Sequence, residues 1–207
     1  MDETSNLKQM SAIPSGRGDK RRKRILQALH DCIIEKGYVK TTLADVARAA
    51  GMYPSHLLYY FNGKEAILEY YFQTVAERII NRIIGFRNET PIRQIDLLAD
   101  LFFAGKGMTK SEIGFMLECF GVAVNDRVLQ RAKTEIDKQC KEYLTGLFEN
   151  IPSGGFKANP KDAAEIAYAM LIGLRTAVYF DDNLTLPEAL RLFRTTMLNL
   201  SGYTPSD

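Results

Sequence analysis

Between Thr42 and Leu68 the chain stops one helix at a glycine and restarts another at a proline: TLADVARAAG, then MYPSHLLYY, then FNGKEAIL. No other stretch constrains the fold as tightly. Thr42 can cap a helix whose Asp45, three residues on, sits where the helix dipole favours an acid, and Gly51 ends that helix. Met52 and Tyr53 make the turn, and Pro54 suits the first position of the next helix because its missing N–H is an orphan there. Two short helices joined by a glycine-containing turn form a helix-turn-helix unit. The second helix, read as Pro54 to Tyr60, has two unlike faces. Leu57 and Phe61, four apart, point into a small core with Val46, Ala47 and the preceding helix. Ser55, His56, Tyr59 and Tyr60 lie off that face, too polar for a core and too aromatic for plain solvent. A major groove suits such a surface: tyrosine rings contact thymine methyls and their hydroxyls reach phosphates.

Charge points the same way. Of the residues from Lys20 to Lys64, nine are basic and three acidic, giving 9 − 3 = +6, so with a whole-chain charge of +2 the remainder carries −4. A basic N-terminal third on a mildly acidic remainder is the footprint of a phosphate-binding module, although KRRKR alone is equally a solvated charge run. Arg21, Arg22 and Arg24 are expected to reach DNA backbone or minor groove from an arm. Asn62 is read as the cap of the fourth helix, with Glu65 in the box position. Lys64, a cation in that helix's first turn, opposes the macrodipole unless a phosphate docks there; Thr42, at the start of its own helix, invites the same reading.

The whole chain reads as helix after helix, with no convincing alternation of β-branched residues. Residues 1–18, rich in Ser, Gly and Pro, read as a flexible arm. Helices are expected at about 20–36, 42–50, 54–60, 62–86, 91–105, 108–122, 125–149, 160–181 and 186–201. The fold class is therefore all-α, with about nine helices. It divides into a helix-turn-helix domain over 19–65 and a larger helical domain over 66–207, with no flexible linker between them.

TTLADVARAAGMYPSHLLYYFNGKEAIL resembles the DNA-binding segment of the TetR family of bacterial transcriptional regulators. Gly37 before the turn, Thr42, the DVARAAG helix, Leu57, the aromatic pair before Phe61 and Lys64-Glu65 carry the resemblance, which covers about residues 20–68. It implies a three-helix DNA-binding head, a helical ligand-binding and dimerisation body, and a repressor released from operator DNA by a small molecule. Two positions depart from the pattern. Tyr53 stands where the family commonly has a small capping residue, and Leu58 where it commonly has a tyrosine. Residues assigned to DNA are thus Arg21, Arg22, Arg24, Thr42, Pro54, Ser55, His56, Tyr59, Tyr60 and Lys64.

Beyond the head, Phe102, Phe103, Phe115, Met116, Phe120, Tyr143, Leu147, Tyr168 and Met170 are candidates for an apolar effector cavity between helices. Arg175 reads as solvent-facing; if buried, it needs a partner or an acidic ligand group, and it is the ligand-binding candidate nominated to meet an effector that carries an acid. The eighth helix is apolar nearly all round, so it must pack against something beyond its own core. Ile172, Gly173, Thr176 and Tyr179, with Leu190, Phe193 and Met197 of the last helix, are read as a four-helix homodimer interface. The effector is expected to be hydrophobic or aromatic, since a sugar would need many polar side chains. Neither cofactor nor metal is expected. The two histidines lie in the head, and no nucleophile motif, phosphate loop or paired ligand spacing supports an enzyme. Cys119 and Cys140 read as core thiols rather than sensors. No apolar run is expected to approach the length of a membrane span, no signal peptide is read, and odd, scattered cysteines fit a reducing cytoplasm. The rival reading is an architectural DNA binder without an effector.

Overall fold

The computed structural model describes residues 17–105, 109–151 and 158–203; the proposed arm falls outside them except for its last two residues, which are already helical. Among the described residues there are nine α-helices and no strand: α1 Arg17–Lys36, α2 Leu43–Ala49, α3 Pro54–Leu58, α4 Lys64–Gly85, α5 Pro91–Phe103, α6 Lys110–Ala123, α7 Arg127–Glu149, α8 Pro160–Phe180 and α9 Leu186–Ser201. Two compact units divide the chain, residues 1–71 and 72–207, so the division falls inside α4, six residues beyond residue 65.

In the first unit, Ile25, Leu29 and Ile33 of α1, Val46 and Ala47 of α2, Leu57 of α3 and Ile67 and Leu68 of α4 are all buried. The first turns of α4 belong here because their rings finish this core. Tyr71 stacks on His30 at 5.9 Å between centroids, and Tyr70 packs on Phe61 at 5.5 Å. α1 ends at Gly37, whose φ of 79° is left-handed and cheap only for glycine. The Thr41 hydroxyl, buried beside that end, lies 2.8 Å from the Gly37 carbonyl.

In the second unit α7 packs on α8, α5 and α8 on α9, and α6 on both α7 and α8. Side-chain caps start these helices: Thr90 for α5, Thr109 for α6, Asp126 for α7, Asn159 for α8, and a Thr185–Glu188 box for α9. Phe103, Phe148, Phe193, Ile83, Ile95 and Ile113 form its fully buried centre. Inside it the Tyr143 hydroxyl donates to Gln94 Oε1 at 2.6 Å, and Gln94 Nε2 donates to the Glu89 carbonyl at 2.9 Å, so this buried pair leaves neither amide atom of Gln94 unmet. By length and composition α8 is apolar enough to cross a bilayer, with a mean hydropathy of 1.3 over its best window, contrary to the expectation that no run approaches that length. One face of it is instead packed: Ala163, Ala164, Ala167, Tyr168, Leu171, Arg175 and Val178 are buried.

Candidate nucleic-acid interface and effector cavity

The helix-turn-helix is fixed from both ends. Thr42 and Asp45 form a reciprocal capping box: the Asp45 N–H donates to Thr42 Oγ1 at 3.2 Å and the Thr42 N–H to Asp45 Oδ2 at 2.9 Å. Lys36 Nζ lies 2.6 Å from the same carboxylate, and Arg48 pairs with its other oxygen. The Lys36 and Thr42 hydrogen bonds hold the Asp45 carboxyl well below the usual carboxylate range. Gly51, at φ 64°, turns the chain at the end of α2, and the Met52 N–H donates to the Ala47 carbonyl at 2.9 Å. Tyr53 then precedes Pro54 as the N-cap of α3 but makes no side-chain cap hydrogen bond.

α3 is one turn and a half, ending at Leu58 rather than Tyr60; the Tyr60 N–H donates to the Leu57 carbonyl at 2.9 Å in a tighter closing turn. Leu57 and Phe61 are buried, as their spacing requires, and they lock the element onto the core. The other side is open. Tyr53 and Tyr59 are 81% and 83% exposed, Pro54, Ser55 and His56 are exposed, and Tyr60 is half-buried. The rings are ordered among themselves, with Tyr60 edge-on to Tyr59 at 5.3 Å and to His56 at 5.6 Å. Tyr53 is absent from the DNA-facing residues expected from sequence.

Lys64 holds the fold together: its ammonium donates to the Tyr38 and Thr41 carbonyls, both at 2.9 Å, and sits 4.0 Å above the Tyr38 ring. Two of its three donors are thus spent on the loop before α2, which leaves one for a phosphate. Gly63, not Asn62, precedes the first residue of α4, with φ 139°. Arg21, Arg22 and Arg24 belong to α1, within the helix expected from about residue 20, and all three are exposed. The Arg24 guanidinium lies over Gly51, so close that a Cβ there would meet Nη2 at 2.6 Å. Thr42 is exposed, but its hydroxyl is committed to Asp45.

In the body, Phe102, Tyr143 and Tyr168 line one apolar cavity with Ile83, Leu98, Cys140, Leu144, Leu171 and Phe193. Its volume is about 10 Å³, room for a single water. Phe103 and Leu147 are ordinary core, Phe103 packing on Phe193 at 5.5 Å, while Phe115 is buried and Met116 and Met170 are half-buried. Phe120 is half-buried beneath the Lys133 ammonium, 4.6 Å from its ring. Arg175, read as solvent-facing, is buried. Burial pushes the Cys119 thiol up to about 12 and the Cys140 thiol up to about 11, so neither has thiolate character.

The subunit-contact reading also needs correction. Phe193 and Met197 are 1% and 0% exposed within the single chain, so they serve its own core and offer nothing to a partner. Ile172, Thr176, Tyr179 and Leu190 are half-buried, Tyr179 resting on Gly114. The surface that α8 leaves open carries Ile166, Ala169, Gly173 and Phe180, with Met170 half-buried among them and Leu192 exposed on α9. A period near 3.6 makes this a stripe along one side of α8.

Comparison with known proteins agrees with this geometry. Residues 25–71 match the family model of the bacterial regulatory proteins, tetR family. The HTH-type transcriptional regulator BetI 2 of Chromohalobacter salexigens is 24% identical over 158 residues, covering 74% of this chain and 75% of that protein. Among solved structures, a TetR transcription regulator from Haloarcula marismortui superposes with a TM-score of 0.74 at 17% identity, covering 88% of this chain and 97% of the other. A Saccharomonospora viridis transcriptional regulator in complex with choline superposes with a TM-score of 0.77 at 15% identity, covering 86% and 95%. At such identities the two structures share the fold alone.

Proposed function

We propose that the chain is a transcriptional regulator of the TetR family, a homodimeric cytoplasmic repressor released from operator DNA by a small apolar effector. The observation that carries the DNA reading is the division of labour in α3. Leu57 and Phe61 are spent on the core, which leaves Tyr53, His56 and Tyr59 standing out beside a segment, Lys20 to Lys64, of net charge +6. Ser55, His56, Tyr59 and Tyr60 read base edges and thymine methyls, Tyr53 adds ring contact at the helix start, and Arg21, Arg22 and Arg48 supply phosphate contacts. The stripe Ile166, Met170, Gly173, Phe180 and Leu192 is the surface offered for the subunit contact. Two recognition helices then meet successive major grooves about 34–36 Å apart on a pseudo-palindrome.

The effector element draws its support from the apolar lining around Phe102, Tyr143 and Tyr168 and from the choline complex of one structural neighbour. A cavity of about 10 Å³ admits no such molecule without opening, so effector binding requires α5, α7, α8 and α9 to part. α4 belongs to both units and is the element through which a shift in the body alters the head, so operator and effector oppose each other with one coupling free energy. The test is a reporter gene placed behind a duplex enriched from a random pool by the purified protein. Repression that is relieved when apolar compounds are supplied supports the reading. An enriched site that no compound releases, with no compound raising the melting temperature, establishes an effector-free DNA binder instead.

A further inference from the structure

The buried face of α8 holds six uncharged residues and one cation. Arg175 is 8% exposed, and its enclosed Nε–H finds no acceptor. An arginine stays protonated in proteins and is among the most costly groups to bury uncompensated. The groups nearby compensate it incompletely. Asp137 accepts the Tyr168 hydroxyl hydrogen bond and is paired with Lys133, whose Nζ stands 2.6 Å from Oδ1. The Glu112 carboxylate acts on the guanidinium through its charge but does not supply the Nε–H with an acceptor. Leu171, one turn before Arg175 on α8, and Tyr168, a turn further back, line the apolar cavity, and helical side chains lean towards that end of their helix. A desolvated guanidinium with an unmet N–H, one helical turn from an apolar pocket, is suited to hold a carboxylate at the end of an apolar molecule.

We infer that Arg175 is the anion anchor of the body, and that the effector is an apolar monocarboxylic acid whose carboxylate meets Arg175 while its hydrocarbon part opens the cavity between Phe102, Tyr143, Leu171 and Phe193. This rests on the effector reading above and narrows its chemistry. An uncharged or cationic compound of the same size leaves the buried cation without its acceptor and binds less well.

The experiment titrates the full-length protein with butyrate, octanoate and phenylacetate, with their primary amides, and with choline, reading calorimetric affinity and melting temperature. Carboxylates are expected to bind about 10- to 100-fold more tightly than their amides, since a hydrogen bond to a charged group is what distinguishes them. In Arg175→Met that preference should disappear while the amides keep their affinity, and in Arg175→Lys part of it should remain. Without any compound, Arg175→Met should melt at the same temperature as the parent or a few degrees higher, because an apolar residue replaces an incompletely compensated charge. Equal binding of acids and amides, an acid preference that survives in Arg175→Met, or tighter binding of choline than of any acid overturns the assignment while leaving an effector in place. So does a drop of several degrees in Arg175→Met, which shows the guanidinium to be structural. Binding by none of the compounds removes the effector reading and the anchor with it.

Discussion

Replacing Tyr59 by alanine separates a DNA-facing ring from a structural one. Tyr59 is 83% exposed, so truncation removes almost no buried surface, and folding stability should change by no more than about 0.5 kcal/mol. The cost belongs to the complex. A tyrosine offers roughly 150–250 Å² of surface, of which docking in a groove covers about half, or about 100 Å². At about 25 cal/mol per Å² that is about 2.5 kcal/mol, reduced by about 0.5–1 kcal/mol for ordering the side chain. The edge contact with Tyr60 at 5.3 Å already limits the ring, which keeps the second figure small. The net loss is about 1.5–2 kcal/mol per subunit, or roughly 100- to 1000-fold in affinity for a dimer with both rings removed. Fluorescence anisotropy on the enriched duplex at fixed salt reads the affinity, and circular dichroism reads the melting temperature. A dissociation constant within twofold of the parent, or a melting temperature lowered by several degrees, refutes the assignment of this ring to DNA.

Tyr143→Phe leaves Gln94 Oε1 buried without its donor and should cost about 1–3 kcal/mol, seen as a melting temperature lower by roughly 3–10 °C with an unchanged helical spectrum. Asp45 has a folded-state pKa below its unfolded value, so its contribution is present above the ordinary carboxylate value of about 3.9 and is lost as pH falls towards the depressed one. Asp45→Asn should therefore melt below the parent at pH 7 by a gap that narrows at about pH 3, and a constant gap contradicts the pairing with Lys36 and Thr42. At Gly173 a Cβ meets nothing within 4 Å in the chain, so Gly173→Leu should fold normally while weakening the dimer in sedimentation. An unaltered dimer moves the interface elsewhere.

How far the sequence can be read follows from what each signal contains. Helix positions are legible because caps and stops are local: Thr90, Thr109, Asp126 and Thr185 cap where the pattern restarts, and the observed ends lie within three residues of the expected ones. The two faces of α3 are legible because Leu57 and Phe61 share a helical face. What a period cannot supply is which of two apolar faces a chain keeps for itself. By pattern Phe193 and Met197 suit a second subunit, yet the core between α5 and α9 takes them, while Ile166 and Phe180 are left outside. The partners of a long cation are hidden for a related reason. Lys64 and the Tyr38 and Thr41 carbonyls lie more than twenty residues apart in sequence, so only the fold shows that the ammonium is occupied. Arg175 misleads by type, since arginine is mostly exposed and nothing local marks one that is buried. The division of the chain falls several residues later than expected for the same reason: the stacking of Tyr71 on His30 joins positions that no local pattern connects.

The central claim, that two copies of α3 read successive major grooves, is tested most directly by hydroxyl-radical and methylation footprinting of the enriched duplex, with binding stoichiometry measured alongside. The expected result is two chains per duplex and two half-sites in inverted repeat. Major-groove protection should be centred about 34–36 Å apart or at a multiple of that spacing. It should be lost at both half-sites when Tyr59 is replaced by alanine. One chain on a single unpaired site, uniform protection with no sequence preference, or a footprint unchanged by Tyr59→Ala would contradict it.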